Sequence, residues 1–121
     1  MLVITKEQKA VFTQALLLRR IRKYLLKNIP EIHKNIPEEK FDIFIKKSLG
    51  QAEYFGIRNE QSLAKWTYLN AITNGRLIKA PGVREYMEQT SLSPDVKVDK
   101  LMRSLAVAAK LHEVSILGMV G

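Results

Sequence analysis

Ala52-Glu53-Tyr54-Phe55-Gly56-Ile57-Arg58-Asn59-Glu60-Gln61 reads as the end of one helix, a tight turn and the start of another. Gly56 is the residue type that tolerates the left-handed backbone with which helices commonly stop. Ile57 is placed to cover the end of the helix just finished, and Asn59 to accept an N–H from the first turn of the next. Helices joined by connections this short point to an all-α fold, a compact bundle whose neighbours run antiparallel.

Working outward in both directions gives about five helices in a single domain over residues 1–121. Toward the N-terminus, Pro37 is suited to a first helical position, and Glu38 and Glu39 oppose the helix dipole. That helix packs through Phe41, Ile43, Phe44, Ile45, Leu49 and Ala52. Residues 28–37, with two prolines, read as a loop holding one helical turn at most. Before it, a long amphipathic helix runs from Thr5 to about Lys27, opened by a Thr5–Gln8 capping pair and carrying Val11, Phe12, Ala15, Leu16, Leu18, Ile21, Leu25 and Leu26 at helical spacing.

Toward the C-terminus, the helix capped by Asn59 carries Leu63, Ala64, Trp66, Tyr68, Leu69 and Ile72, and Asn74-Gly75 closes it. A short fourth helix is expected to start at Pro81, with Val83, Tyr86 and Met87 inward. Ser93-Pro94 opens a fifth with Val98, Leu101, Met102, Leu105, Ala108, Ala109 and Leu111 on its core face. The apolar, glycine-bearing stretch His112–Gly121 follows, suited to docking on the body or meeting a partner.

Composition narrows the function. The 121 residues are 46% hydrophobic and 26% charged, ordinary for a globular domain, and no apolar run approaches the roughly 20 residues needed to span a bilayer. The start Met1-Leu2-Val3-Ile4-Thr5-Lys6-Glu7 lacks the order of a secretory signal, so a cytoplasmic location is expected. With no cysteine, thiolate metal sites and cysteine nucleophiles are excluded. His33 and His112 have no helical partner for a metal, the single glycines match no phosphate loop, and no serine sits in a strained elbow. The expectation is therefore a binding protein without catalysis, cofactor or metal.

The net charge of +8 is unevenly placed: residues 1–36 hold eight basic and two acidic side chains, residues 37–73 five of each. Arg19, Arg20, Arg22, Lys23 and Lys27 crowd the end of the first helix. Dipole compensation accounts for a cation or two in the last turn, but repulsion along a helix face opposes five. They are candidates for contact with an anionic partner, either an acidic protein surface or a nucleic acid. No zinc finger, helix-turn-helix, RRM or basic-zipper pattern accompanies them, and the aromatics lie on core stripes.

Gln51 to Glu60, continued by Leu63, Ala64 and Trp66, resembles a pattern in small helical accessory proteins encoded beside bacterial type VI secretion effectors, which carry an aromatic-Gly-Ile-x-x-Glu turn entering a helix. Tyr86-Met87, Leu92-Ser93-Pro94 and Lys97-Val98-Asp99-Lys100-Leu101 extend the likeness, so that it covers roughly residues 41–105. The resemblance implies a protein that binds a cognate secreted effector, escorting it or restraining its toxicity. It directs attention to Arg58 and Glu60 as contact residues, since Gly56, Ile57 and Asn59 are explained by the turn itself.

Overall fold

The computed structural model describes residues 6–104, with side chains from Gln14 onward. The Thr5–Gln8 capping pair, the Val11 and Phe12 side chains, and the expected core positions from Leu105 through the His112–Gly121 stretch lie outside the described residues. Five helices are present among those described: α1 (Lys6–Asn28), α2 (Glu38–Tyr54), α3 (Glu60–Ile72), α4 (Val83–Glu88) and α5 (94–104). There are no strands among them, and two single 3-10 turns, Ile32–Lys34 and Leu77–Lys79, fill the longer connections. None of the described helices is long and apolar enough to cross a membrane.

The α2–α3 turn follows local chemistry. Gly56 has φ +77°, the Ile57 amide donates to Ala52 O at 2.9 Å and the Gly56 amide to Glu53 O at 3.0 Å. This is the paired Schellman closure, with Ile57 buried in the core beside Ala52. Asn59 Oδ1 then accepts the Gln61 amide at 2.8 Å and starts α3. At the other end of α3, Asn74 and Gly75 both take positive φ, and the Gly75 amide donates to Asn70 O at 2.7 Å. The fourth helix departs from expectation: it begins at Val83, after a left-handed Gly82, while Pro81 stays in the preceding turn. Pro37 is likewise the cap of α2 rather than its first residue.

α1, α2 and α3 run up, down and up. Ile21 and Leu25 of α1 join Phe41 and Ile45 of α2 and Ala64 and Ala71 of α3 in one core cluster, against which Leu17, Leu18 and Leu49 pack. A second cluster gathers Ala52, Ile57, Trp66, Leu69, Leu77, Met87 and Val98, bringing α4 and α5 onto α3. α3 stands between the two, burying Ser62, Ala64, Trp66, Thr67, Leu69, Asn70 and Ala71 around most of its circumference.

Four positions expected on core stripes face outward: Ala15 is exposed, Leu26 is 36% exposed, Ile72 47% and Ile43 57%. For α2 the reason is geometric. Its buried residues, Phe41, Ile45, Ser48 and Ala52, form one narrow stripe. Ile43 lies about 200° round the helix from Phe41 and so points away.

Candidate functional site

The basic end of α1 separates into two groups. Arg22 is drawn into the fold. Its guanidinium lies over the Phe41 ring at 5.1 Å, donates to Asp42 Oδ1 at 2.9 Å and pairs with Glu38. His33 closes the network from the 3-10 turn, with Nε2 at 2.7 Å from the other Glu38 oxygen, Nδ1 at 2.9 Å from Ile36 O, and its ring edge-to-face on Phe41. These contacts tie the end of α1 to the start of α2, so Arg22 has a structural role that its sequence position did not disclose. Arg20 reaches across to α3, 3.3 Å from Glu60 Oε1, which brings together two residues singled out separately in the sequence. Both are exposed, and such a pair contributes at most about 1 kcal/mol.

Arg19, Lys23 and Lys27 form the other group. All three are exposed, and none is in a salt bridge among the described residues. Their i, i+4, i+8 spacing sets them in one line along α1, with the partly exposed Leu26 beside Lys27.

The turn also divides. Gly56, Ile57 and Asn59 build it, and the Asn59 amide additionally donates to Asp95 Oδ1 at 3.1 Å, seating the start of α5. Arg58 is exposed and lies on the rim of a groove of about 630 Å³ between α1 and α2. Ala15, Leu18, Leu49, Ile57 and Leu63 line it, while the exposed Lys46, Glu53 and Arg58 stand on its rim.

Polar groups buried in the core went unnoticed in the sequence. Lys97 is 2% exposed, with Nζ donating to Met87 O at 2.9 Å and to Gln89 O, so that it holds the chain leaving α4. Asn70 donates to Gln51 Oε1 at 3.0 Å and Ser48 Oγ at 3.3 Å across the α2–α3 seam, while its own Oδ1 and the Trp66 indole N–H have no partner among the described residues. The only sequence hint for Lys97 is its register, four residues before Leu101 and next to Val98. Elsewhere, burial and then the neighbouring Tyr68 push the Tyr24 phenol up, and a hydrogen bond from Lys65, reinforced by its charge, holds the Asp99 carboxyl below its ordinary value.

Among the described residues no three His, Cys, Asp or Glu side chains come together in a way that could hold a metal ion. Compared with known proteins, the chain matches no family model, no curated protein and no solved structure.

Proposed function

We propose that this chain is a non-catalytic binding factor whose partner is a protein with an acidic surface, met by Arg19, Lys23 and Lys27 on the outward side of α1. The observation that carries this reading is the division of the basic cluster. Arg20 and Arg22 have carboxylate partners within the fold, whereas the remaining three cations stand in line without one among the described residues. Like charges at that spacing repel by a few tenths of a kcal/mol per pair, a cost that an anionic partner relieves. Leu26 beside the stripe favours a protein surface over a phosphate backbone, because it offers apolar area that phosphates cannot use.

The narrower reading, that the partner is a secreted effector of a type VI system to be escorted or restrained inside the producing cell, rests on the resemblance across residues 41–105. Arg58 and Glu60 supply its contact residues, and Glu60 adjoins the basic helix through Arg20.

Affinity capture from native lysate, with and without nuclease, tests the proposal. One stoichiometric protein that survives nuclease and is lost with Lys23→Glu plus Lys27→Glu is the expected result. Loss of all partners on nuclease treatment would transfer the stripe to nucleic acid. Those two positions are chosen over Arg22 because they are exposed, where substitutions shift stability by only about 0.5 kcal/mol.

A further inference from the structure

The groove between α1 and α2 shows an economy that the fold itself does not require. Gly50 sits inside α2, where glycine costs roughly 0.8 to 1.0 kcal/mol relative to alanine. A Cβ placed on Gly50 meets nothing within 4 Å, so no neighbour in the described structure demands its smallness. Its open side faces the groove, where Ala15 of α1 is also small and exposed. The groove's apolar lining comes from both helices, and its polar residues, Gln14, Lys46, Glu53 and Arg58, are all exposed. A small ligand would need convergent polar groups to orient it; a helix laid along the groove does not.

We propose that this groove seats an amphipathic helix of a protein partner, with acidic residues at both of its ends. The proposal rests on the protein-binding reading above and assigns that activity a second contact surface. An extended peptide has no sheet edge to join among the described elements, whereas two antiparallel helices offer ridges along which a third packs. Small residues at the contact shorten the distance between helix axes, which is what Gly50 and Ala15 permit. The charge follows from the rim, where Lys46 and Arg58 outnumber Glu53. They bracket the α2 wall, one on the helix and the other in the turn beyond its end, and neither is in a salt bridge among the described residues. Arg58 thereby acquires a role that the turn geometry leaves open.

The full chain is screened against displayed peptides of roughly 16 residues, about 24 Å of helix, with apolar residues fixed at i, i+3, i+4 and i+7 and randomised ends. Enriched peptides are expected to carry Asp or Glu at both ends. They should bind at least about tenfold more weakly to Gly50→Leu, whose side chain fills the groove while its melting temperature stays at or above that of the native chain. Lys46→Glu plus Arg58→Glu, which leaves the core untouched, should weaken them as much and keeps the test decisive should Gly50→Leu misfold. Equal binding to these variants, or enrichment of basic ends, overturns the proposal. So does binding that emerges only when Val114→Asp and Leu117→Asp are introduced, which would make the chain's own end the occupant. A dimer that Gly50→Leu converts to monomer also overturns it, by assigning the groove to a second copy. A natural protein partner held equally by Gly50→Leu would remove the groove and leave the α1 stripe standing; loss of capture on nuclease treatment would do the reverse.

Discussion

Replacing Lys97 by methionine removes one ammonium from the interior while keeping nearly the whole length of the side chain, so no sizeable cavity complicates the outcome. Lys97 is 2% exposed and donates to Met87 O at 2.9 Å and to Gln89 O. Without it the Met87 carbonyl is left buried without that donor, at a cost of about 1 to 3 kcal/mol, while the carbonyl of the exposed Gln89 recovers a water and loses less. Opposing this, the fold no longer dehydrates a cation, which by itself costs several kcal/mol. Because the ammonium lies against the carbonyl end of α4, where the helix dipole favours a cation, the carbonyls should prevail, and a net loss of about 1 to 3 kcal/mol is expected. At roughly 4 °C per kcal/mol this lowers the melting temperature by about 4 to 12 °C. Urea titration followed by circular dichroism measures it, with an unchanged m-value if only the folded state is affected. A variant as stable as the native chain would refute the reasoning and show that the charge is merely tolerated.

Gly56→Ala and Gly50→Ala should move stability in opposite directions. At Gly56 the added Cβ makes only ordinary contact with Pro94 Cγ, at 3.5 Å, so its positive φ sets the cost, about 1 to 2 kcal/mol; at Gly50 helix propensity gives a gain of roughly 0.5 to 1 kcal/mol. Thermal melts of the two variants decide it. A double-mutant cycle of Arg22→Met with Glu38→Gln should return a coupling of about 0.5 to 1 kcal/mol, since both groups are partly exposed, and the coupling should shrink in high salt. The Asp99 carboxyl titrates lower in the folded chain than in the unfolded one, so its contribution is present above the ordinary carboxylate value, about pH 4, and fades as pH falls through the folded value. Urea midpoints at pH 7 and pH 3 should therefore differ less for Asp99→Asn than for the native chain.

The helix ends were legible because their chemistry is local. Gly56, Asn59 and Asn74-Gly75 declare their backbone conformation within a few residues, and the left-handed turns and the cap stand where that grammar puts them. Side-chain destinations were less legible, since periodicity reports which face a residue occupies but not what crosses that face. Arg22 looked equivalent to Lys23 until Phe41, Glu38 and Asp42 arrived from α2. Ser48, Asn70 and Lys97 occupy core register with polar groups, so a hydrophobic count passes over them, although each finds its partners across a helix seam or at a helix end. The groove was invisible for a related reason: the open space beside Gly50 depends on how α1 lies along α2.

The position of α3 between the two core clusters bears on how the domain comes apart. Leu63 and Tyr68 pack against both clusters, and the chain's single tryptophan, Trp66, belongs to the second. Neither half can open without stripping one side of the helix on which the other rests. Fluorescence from Trp66, though it samples only the second cluster, should therefore trace the same unfolding curve as circular dichroism of the whole, and the two clusters should melt as one cooperative unit.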